Sequence, residues 1–166
     1  GVNIVTEEMR GVQFNFIGLN YAKKGDYQLG LFTLNIADEA KHQLSFVNWS
    51  KSVNSQWGIV NAATDEAAFQ VSPIFNYAGM VTNQIGFMNI AQTLEGVQLG
   101  FVNFANYSNG CQFGFFNMTV NGDVSHTSGT ASKPVFTLEN TTADASASKL
   151  KFFISCSHPI IGFLYG

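Results

Sequence analysis

Gly96-Val97-Gln98-Leu99-Gly100-Phe101-Val102-Asn103-Phe104-Ala105-Asn106-Tyr107-Ser108-Asn109 is followed at once by Gly110-Cys111-Gln112-Phe113-Gly114-Phe115-Phe116-Asn117. The second stretch restates the first, and the shared unit is Gln-apolar-Gly-apolar-apolar-Asn. Working back toward the N-terminus, the unit recurs at Gln84, Gln70, Gln56, Gln43, Gln28 and Gln13, so that eight copies align. Their asparagines are Asn20, Asn35, Asn48, Asn61, Asn76, Asn89, Asn103 and Asn117, and the steps between successive glutamines are 15, 15, 13, 14, 14, 14 and 14 residues. A short, sustained period is the signature of an architecture in which each unit completes its core by stacking on its neighbours.

Each half of the unit alternates with period two, the strand signal. The position after Gln is always apolar, and the next is Gly or another small residue, with Asn15 the outlier. The residues on either side of Asn are apolar, and the position two beyond it is Ala, Ser or Thr. The two halves are out of phase, because Phe101 and Val102 are adjacent and both apolar, and one continuous strand would send them to opposite faces. Gln to Asn is five residues in five copies, six from Gln70 to Asn76, and seven from Gln13 to Asn20 and Gln28 to Asn35. An insertion inside a paired strand would flip every later side chain, whereas a corner absorbs it, so the spacing predicts a corner between Gln and Asn.

Fourteen residues at about 3.3 Å each give a contour of roughly 46 Å, which closes into a flattened coil with two sides about 10 Å apart. Eight such coils stacked about 4.8 Å apart make a rod of roughly 40 Å. This reading fills the interior with one layer of apolar side chains such as Leu99, Phe101, Val102 and Phe104, and leaves open which way the Gln and Asn rows face. The fold expected is therefore an all-β β-solenoid of about eight 14-residue rungs with a C-terminal β cap. Its divisions are 1–10 as an N-terminal cap, 11–121 as the repeat solenoid, and 122–166 as a loop plus a C-terminal capping or assembly segment. The rival architecture is an up-and-down outer-membrane β-barrel, since Val97 to Ala105 approaches the length of a tilted membrane strand. Strands of such a barrel alternate in direction, however, which calls for a two-strand repeat near 28 residues.

Composition bounds the function. The chain has 166 residues, a net charge of −3 and 11% charged residues, against about 25% in ordinary soluble domains. Nucleic acid is not an expected partner, because no basic patch is present. Between Ala67 and Gly122 the only charged side chain is Glu95. A surface that neutral implies contact with sibling subunits, with cell-surface components or with a membrane. There is no apolar run of 18 residues to form a membrane helix. The first ten residues lack the basic start and apolar stretch of a signal peptide, as in an exported mature chain. Cys111 and Cys156 can be read as one disulfide in an oxidising compartment or as two buried thiols. Asn-x-Ser/Thr triplets at Asn48, Asn106, Asn117 and Asn140 arise readily in so Asn-rich a chain.

Reactive constellations are missing from the reading. His42, His126 and His158 have no metal-ligand spacing with one another or with the cysteines. No phosphate loop, nucleophile elbow or dinucleotide fingerprint occurs. The acidic pairs Glu7-Glu8, Asp38-Glu39 and Asp65-Glu66 fall at the start or in links between repeats, where solvated turns are expected. No catalytic residue, cofactor or metal is expected. The residues that carry the architecture are the Gln and Asn rows, whose amides can pair along a stack.

The unit Gly-Val-Gln-Leu-Gly-Phe-Val-Asn-Phe-Ala, Gly96 to Ala105, resembles the tandem Gly-Leu-Gln-Ile-Gly-Leu-Ile-Asn-x-Ala units of bacterial surface-repeat proteins of the leptospiral type. The resemblance covers Gly11 to about Asn121. Asn15, the Ser72-Pro73 pair and the longer first two units depart from it. It implies an exported or surface-associated bacterial protein and brings no catalytic residues. The expected role is a non-enzymatic structural or surface module that mediates self-assembly or surface contact, with a homo-oligomer or filament as its product. The alternatives are the barrel and a glycan-binding solenoid, for which Trp49 and Trp57 fall on different columns and form no stripe.

Overall fold

The computed structural model describes residues 1–122 and 153–156, with side chains described as far as Val120. The chain is an all-β solenoid. Six strands, β1 (Val2–Leu44), β2 (Val47–Trp57), β3 (Val60–Ser108), β4 (Cys111–Gly114), β5 (Phe116–Gly122) and β6 (Phe153–Cys156), wind through successive coils. Successive units pair in parallel and in repeat register. Asn35 lies against Asn48 and Gln43 against Gln56. Asn48 then meets Asn61 and Gln56 meets Gln70, and at the far end Gln98 meets Gln112 and Asn103 meets Asn117. Parallel pairing removes the barrel alternative, whose strands run antiparallel.

The expected corner is present. The chain bends at 45–46, 58–59 and 115, between Gln and Asn, and once more at 109–110 in a link. Inward positions in the coil from Gln43 to Gln56 are Gln43, Ser45, Asn48, Ser50, Val53 and Gln56. Strict alternation thus breaks at three places, and the coil has three corners where the sequence suggested two flat sides.

Uneven spacing is absorbed locally. The unit from Asn61 to Gln70 carries one more link residue than its predecessor, and a bulge between Ser50 and Ser52 takes it up before the Gln row is reached, as bulges do. In the six-residue gap, Ser72 stands at the Gly position and its Oγ accepts from the N–H groups of Ile74 (3.0 Å) and Phe75 (2.8 Å), which makes the wider corner. In the first unit the corner passes through Gly18 at φ 137°, a conformation that glycine tolerates and side chains resist. Asn15, the outlier of the Gly column, donates to the carbonyls of Gly1 (2.6 Å) and Leu19 (3.2 Å).

The interior inverts the expectation for its contents. Leu99 and Phe101, assigned to the core, face outward and are 41% and 38% exposed. The core contains the amides instead: Gln28, Gln43, Gln56, Gln70, Gln84 and Gln98, and Asn20, Asn35, Asn48, Asn61, Asn76 and Asn89, are all 0% exposed. Beside them lie the small residues Ala22, Ala37, Ala63, Ala78, Ala91 and Ala105, and a column including Ala40, Val53, Ala67, Val81 and Leu94. A coil this tight has room for flat amides and methyl groups, and aromatic rings are left outside.

Residues 1–10, expected as a cap, are the opening of β1, and Asn3 joins the Asn row by donating to Asn20 Oδ1 at 2.9 Å. At the other end β6 pairs antiparallel with β4 and sets Cys156 opposite Cys111. Cys111 is disulfide-bonded. The remainder of the expected 122–166 segment, with His126, His158 and Asn140, lies outside the described residues.

Candidate functional site

Two amide rows run the length of the stack, and they run in opposite senses. Each Asn donates to the Oδ1 of the next Asn, as in Asn48 to Asn61 (2.9 Å), Asn61 to Asn76 (3.0 Å) and Asn76 to Asn89 (2.9 Å). Each Gln donates to the Oε1 of the previous Gln, as in Gln70 to Gln56 (2.6 Å), Gln84 to Gln70 (2.7 Å) and Gln98 to Gln84 (2.7 Å). The second amide proton fixes each orientation. Asn76 Nδ2 also donates to the Ile85 carbonyl of the next coil (2.9 Å), and Gln84 Nε2 crosses its own coil to the Ile90 carbonyl (3.1 Å). A flipped amide would set oxygen against those carbonyls. Asn thus joins coil to coil, while Gln joins the two sides of one coil as well. Among the described residues no buried side-chain nitrogen or oxygen lacks a partner, which is what makes an amide-rich core tolerable.

With the amides used inward, the outside carries whatever can bind. Four rows flank Gln and Asn, and every member is apolar or aromatic. The row after the Gly position holds Phe16, Leu31, Phe46, Phe87 and Phe101, all exposed. Rings meet from coil to coil, Phe87 stacked on Phe101 at 5.1 Å and Phe101 tilted against Phe115 at 4.6 Å. Trp57 and Trp49 stand in different rows, and the former is 47% exposed.

Charge is segregated. Among the described residues, every charged side chain after Gln13 lies in the link between the Ala position and the next Gln, and Glu7, Glu8 and Arg10 precede Gln13. There the charges pair between coils: Lys41 with Asp26 (2.7 Å), Lys24 with Glu39 (2.9 Å) and Lys51 with Asp38 (3.1 Å). An open depression of about 180 Å³ lies among Lys23, Lys24, Asp38, Glu39, Lys51, Ser52 and Asp65, below the roughly 300 Å³ of small ligand pockets. The acidic pair Asp38-Glu39 is thus engaged with lysines. The Lys41 ammonium and the Gly11 N–H hold the Asp26 carboxyl below the usual carboxylate range. A lowered value stabilises the fold above the ordinary carboxylate range, and the contribution is lost as pH falls through it. Replacing Asp26→Asn is therefore expected to flatten the acid side of a melting-temperature profile against pH, and an unchanged profile would dismiss the pair as a contributor.

His42 stacks on Tyr27 at 5.0 Å, and its Nδ1 lies 2.7 Å from Ser55 Oγ. Among the described residues no cluster of His, Cys, Asp or Glu could hold a metal. Of the Asn-x-Ser/Thr triplets, Asn48 is buried in the Asn row and is not presented to solvent for glycosylation, while Asn117 is half-buried and accepts from Asn103 at 2.8 Å.

Comparison with protein-family models, curated proteins and solved structures finds no match to this chain.

Proposed function

We propose that the chain is a non-enzymatic structural module of a bacterial cell surface that acts through its outer faces. One observation carries the reading: the Gln and Asn side chains of the repeat are spent inside on the ladders, and the aromatic and large apolar side chains that flank them face outward. Contiguous exposed apolar surface beyond a few hundred Å² marks a contact site. Here Phe16, Leu31, Phe46, Phe87, Leu99 and Phe101 are exposed along the stack. The resemblance of Gly96 to Ala105 to leptospiral-type surface repeats supports an extracellular or outer-membrane setting, and the disulfide at Cys111 supports an oxidising one. The contact is with copies of the chain or with a cell-surface component.

Size exclusion with light scattering, run with and without a mild detergent, tests the reading. The expected result is self-association in buffer or a measurable load of bound detergent. A particle that stays monomeric at high concentration and binds no detergent would dismiss it.

A further inference from the structure

We infer that the body covering the apolar faces is the interfacial zone of a lipid bilayer, with the rod lying in the membrane plane and its charged link toward water. The inference rests on the reading above that the outer faces make the contact. Three observations favour a bilayer over a second copy. The apolar rows do not share one plane: they continue around the corner between Gly and Asn, with Phe87 and Phe101 on one flank and Met88 and Val102 on the other. A rigid copy covers one flank and leaves the other in water, whereas fluid acyl chains cover both. The border of the apolar zone is marked by rings with a polar atom. Tyr21 and Trp49 occupy the row beyond Asn, two residues before Lys23 and Lys51, and such rings favour the headgroup level. Finally, the band itself carries no charge that would need neutralising, and Lys24, Lys41 and Lys51 of the link are already paired with carboxylates.

Burial of an apolar face to a depth of roughly 5–10 Å is how interfacial elements bind. Here the attraction comes from apolar area, since the link has no basic surplus with which to seek anionic headgroups. Neutral lipid is therefore sufficient, and added salt leaves binding in place.

The test is flotation of the full chain with vesicles of neutral phosphatidylcholine at low and high salt, together with the emission of Trp49 and Trp57. The expected result is co-flotation at both salt levels, with a blue-shifted emission that brominated lipid quenches. Phe46→Glu combined with Phe87→Glu alters two outward rings and is expected to lower partitioning by more than about tenfold, with an unchanged circular-dichroism spectrum. Glu95→Gln, on the link, is expected to float as the parent does. If the double variant fails to fold, quenching of the parent chain by brominated lipid still decides. Absence of flotation with a discrete dimer in buffer would overturn the bilayer and leave the contact reading standing. Absence of flotation from a monomer that also binds no detergent would remove both. Binding that needs anionic lipid, or that high salt abolishes, would overturn the inference as well.

Discussion

Gln70→Leu is expected to lower the unfolding free energy by about 3–6 kcal/mol, although leucine is apolar and of similar size. Three polar groups lose a partner together. Gln56 Oε1 loses its donor, Gln84 Nε2 loses one acceptor, and the Tyr77 carbonyl loses the amide that reaches it across the coil (2.9 Å). Each buried group left in this way costs roughly 1–3 kcal/mol. The same substitution in the first coil is milder. Gln13 accepts from Gln28 (2.9 Å) and donates to the Tyr21 carbonyl (3.0 Å), but no Gln precedes it in the row. Urea denaturation of the two variants checks the difference. Equal costs, or a Gln70→Leu cost under about 1 kcal/mol, would mean that the row is not what joins the coils.

Gly100→Ala is expected to cost about 2–4 kcal/mol, toward the high side of overpacking penalties. A Cβ at this position would be driven into the Gly86 carbonyl oxygen of the neighbouring coil, and would also meet Asn103 Oδ1 at 3.1 Å. Backbone cannot retreat without opening the parallel pairing, and the Asn cannot rotate without leaving its row. Gly25→Ala is the contrast. Its Cβ would meet Ala22 Cβ at 3.4 Å and Met9 Cε at 3.6 Å, which are ordinary contacts. The change is expected to be neutral, or to stabilise by about 0.4–1 kcal/mol through the unfolded chain. Thermal melts of the pair discriminate, and a Gly100→Ala protein as stable as its parent would show that the coils are looser than drawn.

Much of this architecture was legible in the sequence, for reasons that can be traced to particular residues. The Gln and Asn columns gave the period, and the varying gap from Gln70 to Asn76 and from Gln28 to Asn35 gave the corner. Which side faced inward was not legible, because periodicity is blind to it. Alternation places Leu99 and Phe101 on one face and Gln98 and Gly100 on the other, without saying which face is the core. The usual preference for apolar interiors then chose wrongly. The signal that could have decided it was the small column itself: Gly86, Gly100 and Gly114 have no use on an open surface, but they are required where an Asn carboxamide and the preceding coil's carbonyl approach together. Asn3 was missed because no Gln precedes it. The candidate surface was legible in part, since the neutral stretch after Ala67 signalled contact, but the wrapping of apolar rows around a corner needed coordinates.

The opposed senses of the two amide rows bear on how long such a rod can grow. An α-helix adds its peptide dipoles head to tail and accumulates charge at its ends. Here the Asn dipoles point one way along the axis and the Gln dipoles the other, so each added coil contributes nearly equal and opposite side-chain moments. Extension meets no mounting electrostatic penalty from these rows. Both rows also continue unbroken only when a unit is added in the same orientation, since a reversed unit would set donor against donor in one row and acceptor against acceptor in the other. Duplication or loss of whole units within the gene is therefore a permitted edit, and length becomes the parameter most easily changed in this protein.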